Sequence, residues 1–366
     1  MAQHGLQVGT PDVRSVGPIT FGPDGILFVA DNASAMVFAV DVADPGVESA
    51  RSEPFELDGV DRRLAAFLGC GREDVGIRDM AVHPRSENVY LSVMRGRGDA
   101  AVPVIVRIDR GDGSLTELGL DNVPFSSTPI TNAPAEDDAR VTIELPDGDE
   151  GEEIEVRGRK IRIWRRPART ATVTDMSYVD GMLLVAGMSN EEFASNLRRI
   201  PFPFTGEMGD NSLEIFHVSH GKWETAAPIK SFVPYEEGRS ILASYTCTPV
   251  VHFPIADITV GTRATGRTVA DLGAMNQPLD MVSFSQDDGE HVLVSNSTHG
   301  LIKIDWRDID DQPALTEPTT PVGVPREVEP LTGVSRLANL NRTHVLALQK
   351  DDRGERHLRS LKTDSL

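Results

Sequence analysis

Short stretches of alternating apolar and polar residues recur along this chain. Each is followed, after a polar turn, by a short run that is apolar throughout. Four segments fit this template: GPITFGPDGILFVADN from Gly17, IRDMAVHPRSENVYLSVM from Ile77, VTDMSYVDGMLLVAGM from Val173 and PLDMVSFSQDDGEHVLVSNS from Pro278. A fifth, weaker copy is GVSRLANLNRTHVLALQ from Gly333. Alternation marks a strand with one buried face, a continuous apolar run marks a strand covered on both, and the turn makes the two a hairpin. A further strand pair follows each copy, such as MVFAVDVA, VIVRIDRGDGSLTELGL, LEIFHVSHGKWETAAPI and GLIKIDW. Units of about four strands and roughly 40 to 55 residues are the blades of a β-propeller. The Asp-Met pairs at Asp79, Asp175 and Asp280 mark the spacing, and the gap between the last two holds a further blade beginning KSFVPYEEGRSILASYTCTPVV. The fold expected is therefore all-β, a single β-propeller over residues 1–366, with six blades and seven as the alternative. The last unit has about three strands, so the N-terminal HGLQVGT is expected to add the missing outer strand and close the ring.

Two stretches break the pattern. Residues 134–170 contain ARVTIELPDGDEGEEIEVRGRKIRIWRR, which alternates strongly, turns at Pro-Asp-Gly, and is acidic first and basic afterwards. It predicts a projecting, charged β-hairpin whose arms pair opposite charges across strands. Such an insertion is either merely solvated or a contact arm for a neighbouring subunit. The second stretch, GMSNEEFASNLRRIPFPF from Gly187, predicts an enlarged loop over residues 188–212. Within it SNEEFASNLRRI suits a short helix, with Ser189 or Asn190 as its cap and Glu191 and Glu192 in its first turn. Phe193, Leu197, Ile200, Phe202 and Phe204 are expected to hold this loop against the rim.

The net charge of −20 argues against a nucleic-acid partner, because phosphate binding needs the opposite field. No apolar run approaches the roughly 18 residues of a membrane helix, and no membrane role is expected. The sequence MAQHGLQVGTPDVRS lacks a secretion-signal pattern, which fits either a cytoplasmic protein or a mature secreted form. Two cysteines, Cys70 and Cys247, exclude both a disulfide framework and a paired CxxC zinc site.

Propeller topology brings the starts of first strands and the ends of second strands to one face, here called the top. On that face the repeats place Asp79, Asp175 and Asp280 as first-strand openers. Asp31 and Asn32, Arg95 and Arg97, Asn190 with Glu191 and Glu192, Cys247, and Asn296 with His299 stand at the second-strand exits. A ring of carboxylates and amides offers hard oxygen ligands, so Asp79, Asp175, Asp280, Asn190 and Asn296 are candidate ligands for a divalent cation, calcium first. Glu191 or Glu192 would be the general base of a hydrolase acting on small esters, lactones or phosphoesters. The competing expectation is a non-catalytic scaffold that captures a small-molecule or peptide ligand at the top face. Its anchors would be Arg95, Arg97, Arg198 and Arg199, with Cys247 and His299 nearby and Phe202 and Phe204 as apolar contacts. A single aspartate at such a position is also a natural cap for neighbouring backbone N–H groups. His217 and His220, in HVSHGKW, flank an outer-strand turn; they could bind a metal, but a turn-spaced pair far from the channel is read first as incidental.

The phrases FGPDGILFVAD, SNEEFASNLRRIPFPF, HGKWET, SFVPY, YTCTPVVHFP and QPLDM together resemble a widespread family of bacterial β-propeller proteins, over nearly the whole chain outside 134–170. That resemblance implies the fold and no particular activity. More distantly, FGPDGILFVADN is similar to NHL-repeat proteins and to gluconolactonase-like calcium hydrolases, which implies Asp and Asn around a central metal. Pro18 stands where those hydrolases open their first blade with a glutamate.

Overall fold

The computed structural model describes residues 3–46, 53–144, 151–156, 159–205, 209–273, 276–318 and 322–366. Strands dominate, and each repeat found in the sequence is the first and second strand of a small antiparallel sheet. The first strands are Ile19–Phe21, Val75–Val82, Asp175–Val179, Ile229–Tyr235, Pro278–Gln286 and Val334–Asn341, and their sheets are numbered I to VI in that order. These six strands stand side by side in a closed ring, so the protein is an all-β propeller. Second strands such as Ile26–Asp31 and Ser240–Tyr245 are buried at every residue. Both their faces lie between neighbouring blades, which is why they read as unbroken apolar runs. First strands alternate because one face lines the central channel.

Chain order and ring order differ. Around the ring the sequence is II, I, III, IV, V, VI and back to II. After building three strands of blade I the chain makes blade II. It then returns through Val123–Pro129 to pair with Met36–Asp41 of blade I, and crosses to blade III. The N-terminal strand Gln7–Gly9 pairs with this returning strand and not with the last blade. This corrects the expected closure. Blade VI ends with Arg356–Lys362, whose free edge is met by residues 55–58 from the connection between blades I and II. Leu57 and Leu358 exchange both backbone hydrogen bonds, at 3.1 and 2.9 Å. The Ser360 hydroxyl exchanges bonds with the Phe55 backbone beside them.

The insertion is a three-stranded sheet, with Arg159–Pro167 between Val141–Glu144 and Glu152–Val156. Lys160 pairs with Glu153 at 2.8 Å and Arg165 with Glu152 at 3.0 Å. The Pro146-Asp147-Gly148 turn lies outside the described residues. The expected helix over SNEEFASNLRRI does not form. Ser195–Pro201 is the third strand of blade III, paired residue by residue with Met182–Met188. Ser195, Asn196, Leu197 and Arg198 are buried together, as in a strand covered on both faces, and tertiary pairing overrides the helical start signal. Ile200 and Phe202 pack with Phe28 and Tyr178 between blades I and III, Phe204 beside them, while Leu197 belongs to the core shared with blade IV. Phe202 and Phe204 follow the lower end of that strand, so they hold the blades together instead of lining the top rim.

Candidate functional site

A belt of side chains crosses the channel near the top. Asp79, Asp175 and Asp280 occupy one column of the repeat alignment, and Ile19, Ser231 and Arg336 occupy the same column in the other blades. Each aspartate reaches to the next blade around the ring and accepts a backbone N–H there: Ile19 on Asp79, Phe232 on Asp175 and Leu337 on Asp280, each at 2.8 Å. The Ser231 hydroxyl also donates to Asp280 at 3.0 Å. Arg336 lies 3.5 Å from Asp79 and donates to the carbonyl of Arg78 at 2.9 Å. Burial pushes all three carboxyl groups up. Asp79 rises to about 7, held back by Arg336, while the carboxylates of Asp280 and Asp79 raise Asp175 further. The three do not bring carboxylate oxygens within 4.8 Å of one another as a set among the described residues. They knit blade to blade.

The other predicted residues scatter. Asn190 and Glu191 are exposed and clamped by the insertion's flank. Arg140 donates to the Asn190 side chain at 3.3 Å and to the Glu191 carbonyl at 3.2 Å, and Asn132 donates to Glu191 at 2.7 Å. Glu192 is exposed, and neither glutamate lines the channel or the cavity at its mouth. Asn296 caps its own turn, accepting from Thr298 and His299 N–H and donating to the Gly300 carbonyl, and His299 is exposed. Asp31 is fully buried and accepts from Arg14, Ser15 and Ser34. Asn32 bonds both the carbonyl and the N–H of Val173. Arg95 turns to the Leu68 carbonyl and Arg97 pairs with Asp74 at 3.0 Å. Arg198 is fully buried, facing Asp210 at 3.5 Å and the Met188 carbonyl at 3.0 Å. Burial pulls its guanidinium down to about 10. Arg199 is exposed. None of these four arginines lines the channel mouth.

What does line the mouth is a different set of cations. Above the belt lies a cavity of about 260 Å³, walled by Arg78, Arg166, Lys230 and Arg336 with Ser15, Asn32, Thr142, Thr170, Thr174 and Thr246. No acidic side chain is among its described lining residues. Arg78 and Lys230 are the extra residues of β-bulges in the first strands of blades II and IV, where the pairing steps from Ile77 to Asp79 and from Ile229 to Ser231. A bulge re-aims a side chain beside a site. Arg166 and Thr142 come from the insertion, which thus leans over the channel mouth. Sequence reading missed this set because it followed the aspartates. The signal was one residue earlier, in the column that reads Pro18, Arg78, Thr174 and Lys230. Below the belt the channel widens to about 1000 Å³, bounded by Asp287 and Arg342 in the turns after two first strands, by Glu290 at the start of a second strand and by Asp364 in the C-terminal turn.

Among the described residues, two clusters gather metal-type ligand atoms within 4.8 Å of one another: Asp288, His291 and Asp305, and His217, His220 and Cys247. In the first, Arg307 already sits on Asp305 at 2.5 Å and on Asp288 at 3.5 Å. In the second, no lysine or arginine pairs with the cysteine or either imidazole among the described residues, and Lys222 sits on Glu224 at 2.9 Å instead.

No protein-family description and no curated protein matches this chain. Among solved structures, streptogramin B lyase is similar at 11% identity over 96% of each chain, with a TM-score of 0.38. The Cps50 (Swd1) β-propeller domain of Myceliophteria thermophila is similar at 12% identity over 95% of this chain and 84% of its own, with a TM-score of 0.40. The PQQ-bound aldose sugar dehydrogenase of Streptomyces coelicolor is similar at 11% identity over 98% of each, with a TM-score of 0.38.

Proposed function

We propose that this propeller binds a small molecule bearing a carboxylate or phosphate group in the cavity at the top of its channel. The observation that carries this reading is the concentration of Arg78, Arg166, Lys230 and Arg336 around one 260 Å³ space, in a chain whose net charge is −20. Cations gathered at a cavity wall, interleaved with hydroxyls, form the donor array that carboxylates and phosphates require. The volume suits a compact acid more than a drug-sized ligand or a folded partner. The belt below fits the same role, since raised carboxyl groups carry less negative charge toward the ligand.

The rival reading is a calcium-dependent hydrolase on Asp79, Asp175 and Asp280. It requires those oxygens for a metal, whereas each aspartate holds a neighbouring blade. Calorimetric titration with phosphate and with citrate, and separately with calcium, tests the two together. Saturating anion at about a hundred times its Kd should stabilise the fold by about 2.7 kcal/mol. Lys230→Met should weaken the anion at least about tenfold, the loss of one charge-assisted contact, and leave the fold intact. Calcium binding abolished by Asp175→Asn, with no response to either anion, would overturn the proposal.

A further inference from the structure

His217, His220 and Cys247 are brought together by two neighbouring blades. His217 ends the strand Ser212–His217, at the outer side of blade III, and His220 lies in the turn that follows. Cys247 lies in the loop between Ser240–Tyr245 and Pro249–Pro254 of blade IV. The imidazole centroids are 3.8 Å apart. Glu224, on the strand after the turn, takes both rings by the same nitrogen: Nδ1 of His217 meets Oε2 at 2.7 Å and Nδ1 of His220 meets Oε1 at 3.1 Å. A carboxylate on Nδ1 fixes the Nδ1–H tautomer and leaves Nε2 with a bare lone pair. The Thr248 hydroxyl lies 3.4 Å from that nitrogen of His217. Its proton goes instead to Asp271 Oδ2 at 2.7 Å, and the Ser219 hydroxyl donates to the same oxygen at 2.6 Å. Two imidazole nitrogens and a thiol thus share one small space, oriented by a carboxylate behind the rings.

We infer that His217 Nε2, His220 Nε2 and Cys247 Sγ bind one zinc-class transition-metal ion. Two nitrogens and a sulfur suit zinc and exclude calcium, which takes oxygen ligands. Three protein ligands leave the fourth tetrahedral position open, the arrangement that accepts water or a substrate atom. His220 is 45% exposed, so the ion enters from its side, while His217 is buried. On coordination the Cys247 thiol releases its proton to solvent and binds as thiolate. The residue before it, Thr246, lines the top cavity, so the cluster lies one residue along the chain from the proposed anion site. The inference stands on other residues than that site and is tested separately.

The full chain, freed of metal and then equilibrated with zinc or cobalt, should retain one equivalent after gel filtration. The cobalt form should show a thiolate charge-transfer band. Cys247→Ser should lose that band, and His220→Ala, at an exposed turn, should reduce retained metal to background without unfolding the protein. Glu224→Gln should weaken binding by about tenfold to a hundredfold. Alkylation of Cys247 should be blocked by zinc. Wild-type cobalt protein without the band, equal zinc in all variants, or alkylation indifferent to zinc would each overturn the assignment, the last by showing that the Cys247 thiol is not a ligand.

Discussion

At the scale of single residues, the belt aspartates combine two properties that pull apart under mutation. Each accepts a backbone N–H from the next blade, and each has its carboxyl raised by burial. Asparagine at Asp79 keeps an acceptor for Ile19 and removes the buried charge, so Asp79→Asn should stay within about 1 kcal/mol of wild type at pH 8. Alanine leaves the Ile19 N–H unpaired and should cost about 1–3 kcal/mol. The sign of the pH effect follows from the direction of the shift. A folded value of about 7 exceeds the ordinary 3.8, so the folded chain holds this proton more tightly than the unfolded chain. That contribution is complete below the ordinary value and is lost as pH rises through 7. The stability of wild type relative to Asp79→Asn should therefore fall by about 1 kcal/mol between pH 6 and pH 8. Denaturant melts at the two pH values check it, and a difference that grows with pH contradicts the buried-carboxyl account. The aspartates were legible in the sequence as a column. Their partners were not, because Ile19, Phe232 and Leu337 contribute only backbone, and backbone donors carry no residue signature.

At the scale of elements, the repeats were legible because a strand covered on both faces must be apolar throughout, as ILFVAD and SILASY are. Ring closure was not, because the closing segment is only an edge contact at residues 55–58. Its single bridge, Leu57 to Leu358, leaves no strand-length pattern to read. The expected outcome is asymmetric. Leu57→Pro removes the N–H that donates to Leu358, and should destabilise the fold by about 3 kcal/mol while speeding hydrogen exchange throughout Arg356–Lys362. Deleting residues 1–10 should instead expose only Val123–Pro129, the partner of Gln7–Gly9. Equal loss of protection in Arg356–Lys362 from both changes would contradict this closure. The LRRIP segment shows a different failure. Its charged pair and proline suggested a helix end, yet Arg198 and Arg199 point to opposite sides of a strand, one buried and one exposed. The insertion failed at a third level. Its alternation and cross-strand charges were readable, but its lean over the channel, which brings Thr142 and Arg166 to the cavity, is a tertiary fact.

At the scale of the whole molecule, a chain of net charge −20 repels the kind of ligand proposed for its top cavity. The two fields act over different distances. The overall negative field reaches out tens of ångströms at low salt, since the screening length is about 30 Å at 0.01 M and about 8 Å at 0.15 M. The cations at the cavity wall act at contact range, where added salt screens them much less. Raising ionic strength should therefore remove more repulsion than attraction during approach. The association rate of a small dianion should rise between 0.01 and 0.15 M salt, opposite to the steep fall shown when opposite charges steer encounter. Stopped-flow measurement of the rate, with an inert salt of weakly binding ions, reads this directly. In Lys230→Met the rise should persist while dissociation speeds up, because the variant alters contact without altering the far field appreciably. An association rate that falls with salt in the wild type would mean that a local positive field already dominates approach, and that net charge says little about how this propeller meets its ligand.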